Sequence, residues 1–500
     1  MRGMYLNCDP KSLPASFAAM SDNSKLYQFP ENIADGYLIY DTNAWSTPPL
    51  AIYQEQVFIA SGWFIYKQKL NPLALLAKDI VERGPSVLND ILAGVFVIFW
   101  KNDEQQTLLT DPLGLSTHYI DRLANGLRIA PSVKALLTQE HTLNNDMQSI
   151  LRKKQHLFGN YTLYNEIERL QPGAAITSGA EQSYFTFYDG KAIEDLGEYV
   201  NTLTEFWPYD TRILPLSSGL DSRYLLANGA YKYGFTYGPE GSPERKIAGH
   251  YQQDFEHYHA FDFNEQPLHE QEQAILDEMA FATLKPINRL YTNYHYIAQH
   301  YNQASTFYDG YLGDLFQRGT YINFKGKRGE LLKLVPFVYR FINFSAHKLL
   351  RLRYKELTNG EFEILWQDFK VKTANLELND YQKVTYYEFV YGRGGRYTVF
   401  GSNVLAAQFF TIVSPFASRI VFDSFIQQDY SRAVSYRNLK SLWSKTASKY
   451  KNQVVESGYS PQTPAIFIPF IQLAYRLMFH FIPSRANYGV KLKRMEKQNK

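Results

Sequence analysis

Short apolar runs separated by turn residues dominate the chain from residue 36 to about residue 185. The runs include GYLIYD, LAIYQEQVFIASGWFIY and GVFVIFW, and apolar segments of this length between turn residues are typical of β-strands. Residues Pro72 to Arg83 differ, because their apolar side chains recur at helical spacing before Gly84; this pattern predicts one helix packed against the strands. The first part of the chain is therefore predicted to be a layered, β-rich α+β domain.

Strands and helices alternate after about residue 190. Ile213 to Leu216 is a short apolar run, and the segment RYLLANGAYKYG beyond the loop SSGLDS predicts a helix that ends at Gly234. GFTYG, HYHAFDF and STFY are the next predicted strands, and Ser242 with Pro243 predicts the start of a helix between the first two. This alternation predicts a mostly parallel, doubly wound α/β sheet, in which ligands bind at the carboxyl ends of the strands.

The most apolar segment of the chain is Ala465 to Ile482. It is too interrupted to predict a membrane span, which needs about 20 apolar residues in succession. The interrupting residues are Pro469, Gln472, Arg476 and His480. Two interpretations stay open, namely a buried or docking helix after Pro469 and an interfacial helix beside the basic segment KLKRMEKQNK.

The composition is that of an ordinary globular protein and excludes a disordered or fibrous chain. Hydrophobic types make up 45% and charged types 20% of the 500 residues, which allows two or three domains. Cys8 is the one cysteine, so a disulfide framework and a cysteine-based metal site are excluded and a reducing cytoplasm is expected. The segment MRGMYLNCDPKS lacks the apolar core of a secretory signal. The formal charge of +3 is too small to predict nucleic-acid binding.

The segment Leu216 to Ser222, LSSGLDS, carries the main candidate chemistry. A glycine that lets the backbone turn, hydroxyl groups on both sides and a helix directly afterwards would arrange backbone N–H donors around an anion. Asp221 would repel a bare phosphate, and a Mg²⁺ ion between the two removes this repulsion. The pattern predicts a loop that binds a magnesium–phosphate ligand; the alternative is a serine-rich helix cap without a ligand.

This loop resembles the pyrophosphate loop SGGxDS of the ATP-pyrophosphatase group, with Ser218 in place of the second glycine. Three further segments resemble the asparagine synthetase family in particular, and their order along the chain is that of the family. They are ILAGVFVIFW with Leu92, Gly94 and Phe96 before the turn Asp111–Gly114, then TLYNEIERLQPGAAI at Thr162–Ile176, and the loop DGYLGD at Asp309–Asp314.

The resemblance implies an organisation in three parts. Residues 1–190 would form a degenerate class II glutamine amidotransferase-like domain with a layered, Ntn-type fold. Residues 195–460 would form an ATP-pyrophosphatase domain built on a doubly wound parallel sheet, with a helical C-terminal part, and residues 461–500 a helical basic tail. ATP and Mg²⁺ are the cofactors that the resemblance implies.

The resemblance also assigns residues to the nucleotide. Those that match the phosphate-binding positions are Ser217, Ser218, Gly219, Asp221, Ser222 and Gly310. Asp221 and Asp314 would hold Mg²⁺, and Leu216 and Tyr237, at two strand ends, would contact the adenosine. The arginines of Gly392–Arg396 would face the pyrophosphate, and the alternative there is a solvated turn.

Position 2 is the main departure from the family. Glutamine-hydrolysing members begin with a cysteine nucleophile, whereas this chain has Arg2, so we expect no intrinsic glutaminase activity. Tyr311 stands where asparagine synthetases have Glu and where the related β-lactam synthetases, which also lack that cysteine, have Tyr; a phenol there would take a proton from an attacking amine. Lys440 is the candidate for the family's catalytic lysine, and Lys445 is a second candidate by position.

The activity implied is that of an AMP-forming ligase. A carboxylate, free or on a precursor, would attack the α-phosphorus of Mg-ATP, and ammonia or an amine would displace AMP from the acyl adenylate. The competing hypothesis is a catalytically inactive relative that acts as a scaffold or regulatory protein, which Ser218 and the missing cysteine favour. No nucleic-acid partner and no membrane span are expected, and the sequence is compatible with a homo-oligomer.

Overall fold

The computed structural model describes residues 1–8, 23–185, 193–262, 270–279, 293–313, 317, 344–428 and 431–482. The strands of the first part form two antiparallel sheets. Their bounds are β1 Gly3–Leu6, β2 Ser24–Gln28, β3 Gly36–Asp41, β4 Leu50–Tyr53, β5 Gln56–Tyr66, β6 Lys69–Leu70, β7 Ile91–Lys101, β8 Gln106–Thr110, β9 Tyr119–Asp121, β10 Ile129–Ala130, β11 Ile167–Arg169, β12 Ala174–Ile176 and β13 Glu181–Ser183. One sheet has the order β11-β9-β10-β1-β3-β2, and the other has the order β13-β12-β8-β7-β5-β4 with β6 paired to β5.

A hydrophobic core lies between these two sheets. Successive side chains of a strand point to opposite faces, so Met4 and Leu6 of β1 enter this core, while Tyr5 joins a second core shared with the rest of the chain. The predicted helix over Pro72–Arg83 is confirmed as α1, Leu73–Arg83. Its apolar face packs in the first core, and a second helix, α2, spans Asn145–Lys154.

A five-stranded parallel sheet forms the centre of the second part. Its strands are β14 Arg212–Pro215, β15 Tyr233–Tyr237, β16 His257–Phe261, β17 Thr306–Tyr308 and β18 Thr411–Val413. They lie in the order β16-β15-β14-β17-β18, and all neighbours are parallel. The predicted combination of an antiparallel, β-rich part and a parallel α/β sheet is thereby confirmed.

Helices surround the parallel sheet and continue beyond it. Their bounds are α3 Leu196–Glu205, α4 Asp221–Asn228, α5 Pro243–Gly249, α6 Glu270–Met279, α7 Tyr294–His300, α8 Ala346–Arg353, α9 Asn359–Thr373, α10 Asp380–Val390, α11 Val404–Ala406, α12 Arg419–Ile426, α13 Ser431–Val434, α14 Arg437–Trp443, α15 Ser448–Asn452 and α16 Ile468–Phe481. A π-helical stretch, Gly394–Asn403, precedes α11.

The helix after the SSGLDS loop is shorter than the sequence predicts. It ends at Asn228, and the N–H of Gly229 closes it on the carbonyl of Leu225. Tyr233–Tyr237, which the pattern assigned in part to that helix, is a strand paired with β14 and β16. The predicted end at Gly234 is therefore wrong, because Gly229 stops the helix earlier. The predicted start of α5 is correct, with Ser242 as N-cap and Pro243 in the first turn.

Polar contacts join the two parts of the chain across a shared apolar core. The indole N–H of Trp63 donates to the carbonyl of Ile412 at 3.0 Å, and the hydroxyl of Thr411 donates to Asp41. Arg169 is fully buried and donates to the carbonyl of Val390 at 2.7 Å. Arg396, also fully buried, donates to the carbonyls of residues 158, 159 and 161.

Glu361 makes a further contact between the parts, and its replacement tests how much the contact contributes. Burial alone would raise the pKa of Glu361, but hydrogen bonds from Lys153 of α2, Ser149 and Thr358 outweigh it and lower the pKa to about 2. This stabilisation is present above the ordinary pKa of 4.5 and is lost as the pH falls towards 2. Glu361→Gln should therefore lower the free energy of unfolding by about 1–3 kcal/mol at pH 7.

Denaturant unfolding at pH 7 and at pH 3 measures the effect. The difference between wild type and Glu361→Gln should shrink at the lower pH, and Glu363→Gln, on the exposed side of the same helix, should match the wild type at both. A difference that stays constant with pH would contradict the role given to the carboxylate.

The C-terminal helix α16 has two unlike faces. Ile468 is fully buried, and the hydroxyl of Tyr436 donates to Gln472 at 3.0 Å. Phe467, Phe470 and Leu477 lie on the other side and are exposed. The predicted helix is confirmed, but only one of its faces is buried. Among the described residues, no helix combines the length and the hydropathy that crossing a bilayer requires.

Candidate functional site

The two glycine-containing loops leave neighbouring strands where the strand order reverses. From β14 the chain proceeds to β15 and β16 on one side, whereas β17 and β18 lie on the other side. Residues 216–220 follow β14, and residues 309–313 follow β17. In open parallel sheets, ligands bind outside the carboxyl ends of the strands at such a reversal. The two loops together form the candidate site.

Glycines allow the two loops to touch. A Cβ atom at Gly310 would lie 2.8 Å from the backbone N of Ser222 and 2.9 Å from the carbonyl carbon of Asp221. At Gly313 a Cβ would lie 2.8 Å from the Oδ1 atom of Asp221. Any side chain at either position would push the loops apart, so the sequence-predicted residues Asp221, Ser222 and Gly310 are brought together.

Side chains already satisfy the N–H donors of the first loop. The N–H of Ser217 donates to the hydroxyl of Ser222 at 3.0 Å, and the N–H of Gly219 donates to the hydroxyl of Ser217 at 3.1 Å. Glu244, in the first turn of α5, accepts from the N–H of Ser218 at 2.8 Å and from its hydroxyl at 2.5 Å. The structure thus differs from the open set of donors that the sequence predicts. The loop does bind an anionic group, and in this structure that group is the carboxylate of Glu244.

Three residues that the sequence reasoning missed support this loop. Gln317 donates to Oδ1 of Asp221 at 2.7 Å and accepts from the indole of Trp443 at 2.9 Å. Arg223, fully buried, donates to the carbonyls of Gln453 at 2.6 Å and Ser218 at 3.0 Å. These contacts fix the carboxylate of Asp221 and the backbone of the loop. Asp314, the second predicted metal ligand, lies outside the described residues.

The second loop contains a strained residue and a buried carboxyl group. Leu312 has φ 71°, a left-handed conformation that costs energy for a residue with a Cβ. Burial raises the pKa of Asp309 to about 6, although hydrogen bonds from Asn403 and from the N–H of Tyr311 oppose the shift. Tyr311 is buried, and its hydroxyl donates to the carbonyl of Gly394. Such strained and perturbed groups cluster at functional sites.

A cavity of about 130 Å³ extends from Tyr311 into the space between the two parts of the chain. That volume approaches the roughly 150 Å³ of cavities that hold a benzene-sized molecule. Apolar groups such as Trp63, Val95 and Phe410 line it together with polar groups, among them Arg2 and Asp41. The guanidinium of Arg2 lies 3.2 Å from Asp41. The cavity therefore provides mixed polar and apolar space next to Tyr311.

Neither Arg2 nor Cys8 supplies a nucleophile. Arg2 is bound through its guanidinium to Asp41, to the hydroxyl of Ser24 and to the carbonyl of Ala407. Cys8 is buried, and burial raises the pKa of its thiol to about 12. A thiol with this pKa holds its proton at neutral pH and is a poor nucleophile.

The remaining predicted residues lie at the edges of the site or away from it. Leu216 is buried, and the ring of Tyr237, 37% exposed at the end of β15, lies against Phe261 with 6.3 Å between the ring centroids. Lys440 donates from Nζ to the carbonyl of Pro461, and burial lowers its pKa. Lys445 forms a surface ion pair with Asp195.

The prediction that the arginines of Gly392–Arg396 face the pyrophosphate is wrong for Arg396. Its guanidinium donates to the carbonyls of residues 158, 159 and 161, and these backbone acceptors compensate for its burial. The loop touches the site through another group, the carbonyl of Gly394 that accepts from Tyr311.

The residues present fit a Mg²⁺ ion that arrives with a nucleotide. Asp221 offers a carboxylate held towards the second loop, and Mg²⁺ is usually held by one or two carboxylates together with phosphate oxygens and water. Among the described residues, no group of three or more His, Cys, Asp or Glu side chains forms a metal site by itself. Phosphate would therefore have to complete the coordination.

Comparisons with known proteins add no family assignment. No protein-family model matches the chain, and no curated protein matches it either.

Proposed function

We propose that this chain is an ATP-dependent, amide-forming ligase of the asparagine synthetase type that adenylates a carboxylate and lacks glutaminase activity. The observation that carries the proposal is the contact between the loops Leu216–Leu220 and Asp309–Gly313. The two loops meet where the strand order reverses in the parallel sheet β16-β15-β14-β17-β18. This arrangement fits the doubly wound ATP-pyrophosphatase fold, in which a triphosphate lies over the first loop. The antiparallel part fits a degenerate amidotransferase-like domain.

The residues of the first loop would bind the pyrophosphate that leaves. The hydroxyls of Ser217 and Ser222 can rotate away from their internal partners, which would free the N–H groups of Gly219 and Ser217 for phosphate oxygens. The N–H and hydroxyl of Ser218 would become available once Glu244 moves aside. Asp221 would hold Mg²⁺, which when bound neutralises part of the charge that develops on the leaving pyrophosphate. The partly exposed ring of Tyr237, which lies against Phe261 at the end of β15, would contact the adenosine.

Tyr311 would act on the nitrogen nucleophile. Its hydroxyl donates to the carbonyl of Gly394, and its oxygen would take a hydrogen bond from an amine N–H and so orient the nitrogen for attack. The cavity beside it has room for ammonia or a small amine. The guanidinium of Arg2 is engaged by Asp41 and by the carbonyl of Ala407, and this supports an external nitrogen donor over glutamine.

Pyrophosphate release tests this function. The protein is incubated with ATP, Mg²⁺ and a panel of carboxylates, with ammonia, glutamine or amines as the nitrogen source. Release that depends on a carboxylate, with ammonia or an amine but not with glutamine alone, is the expected result. Glutamine acting without added ammonia would contradict the proposed nitrogen source, and no release with any combination would favour the second candidate.

The second candidate is a non-catalytic scaffold or regulatory protein. Glu244 favours it, because its carboxylate takes both the N–H and the hydroxyl of Ser218, the donors that a phosphate needs. Two anions a few ångströms apart repel each other. ATP therefore binds only if Glu244 moves aside, and a protein that keeps Glu244 in place binds no nucleotide.

Glu244→Gln separates these candidates. The amide keeps the size of the side chain but removes the charge, so a ligase variant should bind Mg-ATP roughly 5- to 10-fold more tightly in calorimetry. Glu240→Gln, a nearby exposed site, should bind like the wild type. Equal affinity of Glu244→Gln and wild type would show that Glu244 does not compete with phosphate, and absence of binding in both would favour the scaffold.

A further inference from the structure

The outward face of helix α16 is a continuous apolar stripe. Its residues recur at intervals of three and four along the helix, which places them on one side. They are Phe467, Phe470, Ala474, Leu477 and Phe481, and all are exposed. Ile466, just before the helix, is 70% exposed as well. We call this stripe, Ile466 to Phe481, the α16 apolar face.

The α16 apolar face exposes a large area of its three phenylalanine side chains to solvent. Phe467, Phe470 and Phe481 are 56%, 51% and 76% exposed, which corresponds to on the order of 370 Å² if each phenylalanine offers about 200 Å². The largest apolar patch on a typical monomeric protein covers roughly 300–600 Å² and is often an interaction site. The helix itself is well held, because Ile468 is buried and Tyr475 packs against Gly458 on the inner side.

The chemistry of the helix fits a lipid surface better than a second helix. A coiled-coil seam repeats over at least three or four heptads with aliphatic residues at the contact positions and flanking charges, whereas α16 spans Ile468–Phe481 and its stripe is mainly phenylalanine. Phenylalanine and leucine on one face of a short amphipathic helix are typical of helices that lie in the plane of a membrane interface.

The sequence that follows the helix supplies positive charge. Residues 491–500 read KLKRMEKQNK, in which lysine and arginine far outnumber the one glutamate. Basic segments next to an amphipathic helix bind the anionic headgroups of phospholipids, because opposite charges attract across the interface. The apolar face complements the acyl-chain boundary of an anionic membrane, and the basic segment complements its charged headgroups.

We propose that the α16 apolar face and the basic segment 491–500 dock the protein on the surface of an anionic phospholipid membrane. The phenylalanine and leucine side chains enter the boundary between headgroups and acyl chains, and the lysines and arginines contact the headgroup phosphates. The helix lies parallel to the membrane plane. This inference does not depend on the proposed ligase activity.

Co-sedimentation of the full chain with vesicles tests the proposal. The wild type should sediment with vesicles that contain phosphatidylglycerol and much less with vesicles of phosphatidylcholine alone. Phe470→Ser with Leu477→Ser should reduce the bound fraction roughly 10-fold by removing apolar anchors. Lys493→Glu with Arg494→Glu should weaken binding to the anionic vesicles selectively, and high salt should do the same.

A matched control isolates the position of the apolar residues. Ile52 and Val371 are 64% and 72% exposed at other places on the surface, so Ile52→Ser with Val371→Ser should sediment like the wild type. Equal sedimentation of wild type and the Phe470→Ser, Leu477→Ser variant would overturn the proposal. A wild-type dimer in light scattering that becomes a monomer in the Phe470→Ser, Leu477→Ser variant would also overturn it. In that case a second copy of the chain would cover the face.

Discussion

Replacing Asp221 by asparagine should reduce pyrophosphate release by roughly 100-fold or more, the effect expected when a charge that stabilises the leaving group is lost. Asparagine retains the oxygen that accepts from Gln317 at 2.7 Å, so the loop should keep its shape. It loses the negative charge that the proposed Mg²⁺ site requires. The loss should appear both in the carboxylate-dependent assay and as a smaller binding heat for Mg-ATP.

A surface control distinguishes this effect from a general loss of structure. Asp103 is exposed and distant in sequence from both loops, so Asp103→Asn should retain wild-type turnover. Thermal unfolding of Asp221→Asn should stay within a few degrees of the wild type, as for a substitution that preserves its hydrogen bond. Undiminished turnover of Asp221→Asn would remove this residue from the mechanism.

Gly310→Ala should disrupt the contact between the two loops and abolish detectable Mg-ATP binding. The new Cβ would lie 2.8 Å from the backbone N of Ser222 and 2.9 Å from the carbonyl carbon of Asp221. Both are backbone atoms at the start of α4, so they cannot rotate away as a flexible side chain would. Overpacking of this kind costs about 1–3 kcal/mol of the free energy of unfolding.

Gly360→Ala is the matched control for this substitution. No heavy atom lies within 4 Å of a Cβ at Gly360, which is in the first turn of α9. Alanine there should increase the free energy of unfolding slightly, by about 0.5 kcal/mol, because glycine is the poorer helix former. A Gly310→Ala variant that melts and binds Mg-ATP like the wild type would show that the loops need not touch.

Much of the fold follows from local pattern. GYLIYD is strand β3 with the predicted limits Gly36–Asp41, and the helix after Pro72 ends at Arg83 as predicted. The end of α4 was not predicted correctly because the segment RYLLANGAYKYG has helical spacing that continues past Gly229. Pairing of Tyr233–Tyr237 with two neighbouring strands overrides that spacing. Local helix propensity does not decide the structure where a segment can form backbone hydrogen bonds in a sheet.

The site is predictable only where backbone topology determines it. That the loops after β14 and β17 meet follows from the general behaviour of parallel sheets. Glu244, Gln317 and Trp443 are not predictable, because tertiary packing brings each to its partner. Glu244 is 26 residues from Ser218, Gln317 is 96 from Asp221, and Trp443 is 126 from Gln317. Side-chain partners separated in this way leave no spacing signal in a single sequence.

The buried arginines between the two parts affect how this sequence can evolve. Arg169 and Arg396 donate to the main-chain carbonyls of Val390 and of residues 158, 159 and 161. A main-chain carbonyl is present whatever the side chain, so replacing Val390 or Tyr161 by a residue that packs equally well leaves these bonds intact, whereas mutation of either arginine removes several at once. Over many generations Val390 and Tyr161 are therefore expected to vary more than the two arginines, and more than Gly159, which has φ 57° and no room for a Cβ beside Asp368.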